Sequence, residues 1–227
     1  MLTLKSLLIL RYISVENANA ISGFTYGFPS VSNFLGFAHV ISRSLNEKYK
    51  LNTSGVAIIS HNHQINAYRP EQYGDYYFSQ TRNPLTNEAK TAPFNQEGKM
   101  HLCVTLIIRC NFNSDDFDAN KDEFTKYVKN ICLRQRIAGG LIKHIKEVEF
   151  IEIPQKEQDR LSFYNKQKKK LLPGFALTDR TDLLERHYES LKEIDNSVEK
   201  IDAWLDFCAL KYQAENFNKS DETIKDK

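Results

Sequence analysis

The chain has little of several residue types that mark particular classes of protein. Its 227 residues include four cysteines, two methionines and one tryptophan. Cys103, Cys110, Cys132 and Cys208 share no CxxC spacing and lie among apolar or helical neighbours. This pattern favours structural thiols in a reducing compartment over a disulfide framework or a zinc site. We therefore predict no metal and no cofactor.

Long hydrophobic runs are also scarce. The apolar opening from Leu2 to Leu10 is interrupted by Lys5, is followed by Arg11 and lacks a small-residue cleavage site. The sequence thus predicts neither a signal peptide nor a membrane span. We expect a cytoplasmic protein without a membrane partner, in which this opening is a buried strand.

Motifs of nucleotide or metal chemistry are missing as well. Ala138-Gly139-Gly140 lacks the spacing of a Walker loop or a dinucleotide fingerprint, and no nucleophile elbow is present. His61 and His63 place two imidazoles on one side of a predicted strand, but no cysteine or carboxylate cluster completes a metal site. Nucleotide hydrolysis and metal catalysis are both disfavoured.

The charge that is present is unevenly distributed. The net charge is +2, but residues 181–227 carry 7 basic and 12 acidic side chains, which leaves about +7 on the rest. Residues 121–146 and 156–180 are locally basic, the second including Lys168 and Lys169. Such zones fit a polyanion such as RNA, but charge alone favours a solvated helix face over RNA binding.

The periodicity of apolar residues predicts an order of elements. The predicted order is strand 4–15, helix from 31, strand 55–65, insertion 66–99, strand 100–112, helix from about 115 to 135, and strand 141–153. Asp115, Asp116 and Asp118 suit the start of the second helix, and Gly139-Gly140 is interpreted as its stop. This β-α-β-β-α-β order predicts an α+β, modified ferredoxin-like fold, in which two helices cover one sheet face and the other stays free.

The domain prediction follows from the same pattern. Residues 1–155 form the ferredoxin-like domain, with a hairpin near Tyr76 to Ser79 in the insertion. Residues 156–212 form a basic segment, a strand or turn at 171–177, and helices at about 181–193 and 197–212. Residues 213–227 are polar and charged and are expected to be disordered.

Residues 17–39 concentrate turn chemistry. Paired amides (Asn17, Asn19), Ser22, two glycines and Pro29 crowd into what we predict to be a single strand-to-helix turn. So many turn-forming residues are more than a simple connection between two elements needs. We therefore expect another group to approach this part of the backbone closely. On the following helix, His39 and Arg43 are one turn apart and can face a common ligand, although a buried His39 is equally compatible.

Two further segments combine cations with groups that can contact RNA. Gly139 and Gly140 lie between Arg134 and Arg136 on one side and Lys143 on the other, so their backbone can approach a phosphate; a helix C-cap is the alternative. Arg82 and Asn83 lie in a polar loop beside four tyrosines that can stack bases.

Taken together, these segments resemble the backbone subunit that caps the 5′ end of the guide RNA in type I-F CRISPR surveillance complexes (Csy complexes). The resemblance rests on five blocks in order: Asn17 to Ser22 with Tyr26 to Pro29, Phe34, Gly36, Phe37, His39 and Arg43; Thr81 to Leu85; Glu97-Gly98 with His101-Leu102; Arg136 to Gly140; and Leu171 to Leu177. The opening motif is one residue shorter than in relatives and has Tyr26 where tryptophan is usual. Relatives usually continue into a Trp- and Pro-rich segment, so a truncated product or a compact variant is expected.

The resemblance implies a RAMP-type, non-catalytic, prokaryotic subunit that grips the single-stranded 5′ handle of CRISPR RNA. It also implies contacts with the large subunit and with the adjacent hexameric-backbone subunit, with target DNA nearby. The RNA-binding candidates are Asn17, Asn19, Ser22, Tyr26, His39, Arg43, Arg82, Asn83, Arg134, Arg136, Gly139, Gly140, Lys168 and Lys169.

Two other functions stay open. A metal-independent endoribonuclease would use Tyr26, His39 and Lys143 as acid and base groups, as related subunits of other type I systems do. A protein-only assembly adaptor would dock a basic partner on its acidic C-terminal helices.

Overall fold

The computed structural model describes residues 6–23, 25–82, 84–92, 94–111 and 121–209, with the backbone alone at 80–82, 94–96, 121 and 208. The strands are β1 Ser6–Asn19, β2 Ile21–Ser22, β3 Thr25–Tyr26, β4 Thr53–Ile65, β5 Ala67–Tyr68, β6 Tyr77–Phe78, β7 Gln80–Arg82, β8 Phe94–Gln96, β9 Lys99–Cys110, β10 Arg136–Ile137, β11 Gly140–Glu152 and β12 Phe175–Ala176. The helices are α1 Val31–Tyr49, α2 Lys121–Leu133, α3 Glu157–Lys170, α4 Thr181–Ile194 and α5 Lys200–Cys208.

Four long strands carry the fold. They lie in one sheet of order β10-β11-β1-β9-β4-β12, in which every pair of neighbours is antiparallel. Alternate residues along a strand point to opposite faces, so Leu8 and Leu10 of β1 project to one face together with Leu106 and Ile108 of β9. The predicted sheet and its four core strands are confirmed as an α+β architecture.

Helices α1 and α2 cover that apolar face. The buried positions of α1 recur at helical spacing, with Phe34, Phe37, Ile41 and Leu45 fully or almost fully buried against the sheet. Phe124, Val128 and Cys132 form the matching stripe of α2. The core therefore lies between the two helices and the sheet. Part of the opposite face is covered by α3, whose Gln167 accepts a hydrogen bond from the buried Arg11 of β1, so the prediction that this face stays free is only partly right. The rest of that face carries polar residues.

The segment from Asn17 to Pro29 differs from the predicted single turn. β1 continues to Asn19, and Ile21–Ser22 then pairs with Thr25–Tyr26 in a short hairpin before α1 begins. The prediction of one strand-to-helix turn is wrong because the amides continue the strand: Asn17 takes φ +55°, a left-handed conformation that Asn tolerates and that bulges β1 without ending it.

The interpretation of Gly139-Gly140 as a helix stop is also wrong. Helix α2 ends at Leu133, and the glycines belong to the β10–β11 hairpin, where Arg136 pairs with Leu141 and Ile137 with Gly140. Ala138 and Gly139 both have positive φ, +50° and +74°. Two consecutive positive φ values are typical of the tight turns that join antiparallel strands.

The insertion between β4 and β9 is built from two small ladders. Ala67–Tyr68 pairs with Tyr77–Phe78, and Gln80–Arg82 pairs with Phe94–Gln96. The first includes the hairpin predicted near Tyr76. The acidic start predicted for the second helix, Asp115 to Asp118, lies outside the described residues, as do Asn83 and the predicted tail at 213–227.

The basic segment after residue 155 is helical. Acidic Glu157 and Asp159 lie in the first turn of α3 and Lys168, Lys169 and Lys170 in its last, an arrangement that favours the helix dipole. Helix α5 begins three residues later than predicted. Asp195 accepts hydrogen bonds from the backbone N–H and hydroxyl of Ser197, and Glu199 caps α5 reciprocally with Asp202.

The chain divides into two compact units, Met1–Thr178 and Asp179–Lys227. The first contains the sheet with α1, α2 and α3. In the second, α4 and α5 contact each other, and Ala203 of α5 is fully buried.

Candidate functional site

Three of the five sequence blocks meet at one end of the sheet. The backbone N–H of Asn19 donates to the carbonyl of Ala138 over 2.8 Å, and that of Ala20 donates to Gly98 over 2.8 Å. Gly27 closes the β2–β3 hairpin by donating to Ala20 over 2.9 Å. The opening segment, the Gly98 segment and the β10–β11 hairpin are therefore one structural cluster, which we call the hairpin end.

Close backbone packing explains two glycines of this cluster. A Cβ atom on Gly140 would lie 2.7 Å from Val15 Cγ1 and 2.8 Å from the Cα and N atoms of Ala18, and one on Gly98 would lie 2.7 Å from Ile21 Cγ1. All of these distances are shorter than any normal contact of a Cβ atom. The close approach predicted for the opening segment exists, but its partners are other parts of this chain.

Some polar groups of the opening segment form hydrogen bonds within the segment, and others are exposed to solvent. Asn19 bonds the backbone of Ile21 through both ends of its amide, with Nδ2 donating to the carbonyl and Oδ1 accepting from the N–H, each over 3.1 Å. Asn17 is exposed, and its backbone N–H donates to His101 Nδ1 over 3.3 Å. Ser22 is half-buried and its carbonyl accepts from the Thr25 hydroxyl. Asn17 and Asn19 are both exposed, but the Asn19 amide is engaged with the Ile21 backbone and shapes the turn.

Exposed aromatic and cationic groups flank the hairpin end. Tyr26 is 56% exposed and packs edge to face on Phe78 at 5.3 Å. Arg134 and Arg136 are both exposed, and Arg136 Nη1 donates to the Gly139 carbonyl over 3.1 Å. Gly139 is exposed and has open space around its Cα. An anion approaching Gly139 would therefore meet at least one guanidinium.

Other candidates lie elsewhere. His39 and Arg43 are both exposed on α1, so the alternative of a buried His39 is wrong. Arg82 forms part of the β7–β8 ladder, with only its backbone described. Lys168 and Lys169 are exposed at the end of α3, a helix that is bound to β1 near Arg11. Arg11 and Asn19 are eight residues apart on β1, or roughly 26 Å at the strand rise, so these lysines are not part of the hairpin end.

A cluster of rings and hydroxyls on the open sheet face was not predicted. Tyr12 stacks on His61 with centroids 4.2 Å apart, and Lys146 lies 4.9 Å from the Tyr12 ring centre. His61 Nδ1 is 2.7 Å from the carbonyl of Pro173, and Nε2 is 2.7 Å from Thr105 Oγ1. Because a carbonyl only accepts, Nδ1 carries the proton and the Thr105 hydroxyl donates to Nε2 in the neutral ring.

This network anchors the fifth sequence block to the sheet. Leu177 N–H donates to Ile58 over 3.0 Å, and Phe175 pairs with Ser60. The register shift between Ser60 and Asn62 puts His61 in a bulge, which breaks the simple alternation expected for His61 and His63. No sequence signal links Tyr12 or Thr105 to His61, because the bulge at Tyr12, with φ +50°, has no glycine to mark it.

The cysteine thiols of the described residues are in environments that keep them protonated and unreactive. Burial raises the pKa of the Cys110 and Cys132 thiols to about 12, and it also raises the pKa of Cys103. Neither a thiolate nucleophile nor a metal ligand is favoured by such burial. Across residues 6–23, 25–82, 84–92, 94–111 and 121–209, no group of three or more His, Cys, Asp or Glu is placed to hold a metal ion.

The three candidate nuclease residues occupy different parts of the fold. Lys143 follows the buried Ile142, so it projects from the sheet face opposite α1, where it is 2.7 Å from Glu16 Oε1. His39 is on the exposed side of α1, and Tyr26 is on the β2–β3 hairpin. The structure does not bring these three side chains together.

Fold and site define an α+β protein whose antiparallel sheet is covered by α1 and α2 on one face and, on the other, is covered in part by α3 and otherwise carries a polar surface. Residues 8–225 match the CRISPR-associated protein family Cas_Csy2, and the chain belongs to this family. It is 31% identical over 217 residues to the CRISPR-associated protein Csy2 of Pseudomonas aeruginosa (strain UCBPP-PA14), covering 92% of this chain and 66% of that protein. The chain thus spans slightly less than two thirds of the length of this curated relative. The resemblance drawn from the five blocks is confirmed as membership of this CRISPR-associated family.

Among the helices that the structure describes, none is long and apolar enough to cross a membrane.

Proposed function

We propose that this chain is a non-catalytic RNA-binding subunit of a type I-F CRISPR surveillance complex that caps the 5′ handle of the guide RNA. Membership of the CRISPR-associated Csy2 family supports the setting. We further infer a modified ferredoxin-like, RAMP-type fold. The four long strands support it, because their antiparallel order β11-β1-β9-β4 is that of a ferredoxin-like sheet. Helix α3 covers part of the face opposite α1 and α2, and the polar remainder of that face is available to a ligand.

The observation that carries the proposal is the convergence at the hairpin end. Sequence blocks 78 and 119 residues apart meet there, through backbone hydrogen bonds from Ala20 to Gly98 and from Asn19 to Ala138. Around that rigid core lie Arg134, Arg136 and the exposed Gly139 turn. Cations on a turn that lets a chain approach closely are suited to a single-stranded phosphate backbone.

The proposed contacts divide by chemistry. Arg134 and Arg136 neutralise phosphates beside Gly139 and Gly140, while Asn17 and Ser22 offer hydrogen bonds and Tyr26 offers a ring for stacking. His39 and Arg43 on α1, and Arg82 with Asn83 in the insertion, extend the surface if the handle continues in those directions. Lys168 and Lys169 on α3 form a separate basic surface that suits a neighbouring stretch of nucleic acid.

Arg136→Gln tests the proposal most directly. We expect weaker binding of the full chain to labelled single-stranded handle RNA, and a salt slope smaller by about one than that of the unaltered chain if one phosphate contact is lost. Filter binding over a series of salt concentrations measures both quantities. The same RNA should be recovered intact after incubation in EDTA.

The matched control is Lys90→Gln, which removes an exposed cation of the insertion whose partner is its neighbour Glu88 at 2.7 Å. It should leave the affinity and the salt slope unchanged. Equal slopes for Arg136→Gln and the unaltered chain would contradict the assignment of Arg136. Specific cleavage of the RNA that is lost in His39→Ala would replace the capping function with an endoribonuclease.

The second unit favours an additional role in assembly. Ile201, Trp204, Leu205 and Phe207 of α5 are 44% to 55% exposed. Residues 179–209 also carry nine acidic and four basic side chains. Exposed aromatic groups framed by acidic residues fit a partner surface of apolar and basic character. We propose that the large subunit or the adjacent backbone subunit docks there, with target DNA nearby in the complex.

A further inference from the structure

The open sheet face contains a polar cleft that none of the contacts proposed above uses. It has a volume of about 310 Å³ and lies where β1, β9 and β4 run side by side beyond the Tyr12–His61 cluster. Its lining comes from cross-strand neighbours: Ser14 pairs with Cys103, Asn62 with Cys103, and Gln64 with His101. The volume is at the lower end of the range for small-ligand sites, about 300–1,000 Å³.

The charge of the cleft argues against a phosphate as its occupant. Of the described residues that line it, none is Lys or Arg, and Glu16 contributes a carboxylate. A hydrogen bond from Lys143 and the charge of that lysine lower the pKa of Glu16, so the group is ionised at neutral pH. Lys143 is thereby paired with Glu16. A phosphodiester would meet a carboxylate here, whereas a base edge that donates protons would be stabilised by it.

The hydrogen bonds around His101 define what the cleft offers. The backbone N–H of Asn17 donates to His101 Nδ1, so Nδ1 is an acceptor and Nε2 carries the proton of the neutral ring. Glu16 and His101 line the same cleft from neighbouring strands β1 and β9. The pair therefore presents one N–H donor and a carboxylate with two acceptor oxygens, and the amides of Asn62 and Gln64 stand at the rim.

We infer that this cleft binds an unpaired guanine base of the RNA. The Watson–Crick edge of guanine offers O6 as an acceptor, then N1–H and the N2 amino group as donors. His101 complements the acceptor, and the two Glu16 oxygens complement the donors. Val15 and Leu102 line the floor of the cleft along strands β1 and β9, while their side chains pack into the core on the opposite face. The inference rests on the proposed function, because it names the base read by the same RNA-binding subunit.

The test compares short single-stranded RNAs that carry guanine, inosine, adenine or cytosine at one position within a uridine tract. We expect the full chain to bind the guanine RNA about tenfold more tightly than the adenine or cytosine RNA. Inosine, which lacks the N2 amino group, should bind with intermediate affinity. In Glu16→Gln, one acceptor oxygen becomes a donor, and the preference for guanine over adenine should fall to less than twofold.

Lys143→Gln is the matched control, since it disrupts the same ion pair but keeps the carboxylate. It should retain the guanine preference, and thermal melts should show that both variants are folded. A guanine preference that survives in Glu16→Gln, or equal binding of all four RNAs by the unaltered chain, would overturn the guanine site while leaving RNA binding intact. Failure of the unaltered chain to bind any of the RNAs would overturn both the site and the proposed function.

Discussion

At the scale of single residues, the glycines of the β10–β11 hairpin have different requirements. Gly139 needs a left-handed backbone, with φ +74°, but has open space where a side chain would project. Gly140 has an ordinary backbone, but a Cβ would lie 2.8 Å from the backbone of Ala18. The second constraint is the more severe, because strand β1 cannot move away without disturbing the sheet on both of its sides.

Gly140→Ala should therefore destabilise the chain by about 1–3 kcal/mol, the range for inserting a carbon into a packed site. Gly36→Ala is the matched control, since Gly36 lies in α1 with no atom near its would-be Cβ, and this change should stabilise by up to about 1 kcal/mol. Urea unfolding measures both. Equal and small effects of the two changes would show that the contact between β11 and Ala18 is looser than described.

The residues also show what sequence patterns can convey. The amides, glycines and proline between Asn17 and Pro29 predicted a backbone that another group approaches closely. The structure shows such close packing. The partners of that backbone are Gly98 and Ala138, distant in sequence and joined only by sheet pairing, so no local pattern could identify them. Likewise, Tyr12, His61 and Thr105 come from three different strands.

At the scale of elements, a buried charge network holds α3 against β1 and β11. The Arg11 side chain is 4% exposed, bonds Glu149, and donates from Nη2 to Gln167 of α3 over 2.7 Å. Lys170 of α3 is 2.9 Å from the same carboxylate. Burial favours the protonated form of Glu149, but hydrogen bonds from Lys170 and Arg11 outweigh it, and the pKa of Glu149 lies below its ordinary value.

A carboxylate with a lowered pKa in the folded state contributes stability above its unfolded pKa, and this stability is lost as the pH falls through the folded pKa. Glu149→Gln should cost about 1.5–3 kcal/mol at pH 7, the range for a hydrogen bond to a charged group. The difference from the unaltered chain should begin to shrink as the pH falls below the unfolded-state pKa of a glutamate, about 4.3. It should disappear only below the lowered folded-state pKa of Glu149, where both side chains are uncharged.

Glu147→Gln provides the comparison for that measurement. Glu147 is 52% exposed and 3.9 Å from Arg11, so its removal should cost less than about 1 kcal/mol at any pH. Urea unfolding at several pH values distinguishes the two. A cost for Glu149→Gln that does not change with pH would exclude the charge network as its source.

A helix or strand could be predicted from the sequence where its own residues show the spacing of a buried apolar face. The four long strands and helices α1, α2 and α4 follow from apolar spacing, which reports the buried face directly. The short ladders of the insertion and β12 have only two or three residues each, too few to show a period. Helix α3 was missed as a helix because its one buried side chain is the polar Gln167, so no apolar stripe marks it.

At the scale of the whole molecule, the division after Thr178 separates two kinds of surface. The first unit contains the sheet, the hairpin end and the cleft at Glu16, and its charges and backbone turns suit nucleic acid. The second contains the acidic helices α4 and α5 with their exposed aromatic and aliphatic side chains. The matched family and the relative extend over both units, so the two surfaces are expected to act within one assembly.

A chain ending at Thr178 should therefore bind handle RNA with an affinity within about threefold of the full chain, because phosphate contacts dominate such affinities and the proposed ones lie in the first unit. The same shortened chain should lose capture of the large subunit, since the apolar surface of α5 is removed. Filter binding and co-purification with the tagged partner measure the two activities.

The full chain carrying Trp204→Ser and Phe207→Ser should match the shortened chain in both assays. Loss of RNA binding together with partner binding would show instead that the acidic helices take part in gripping the RNA.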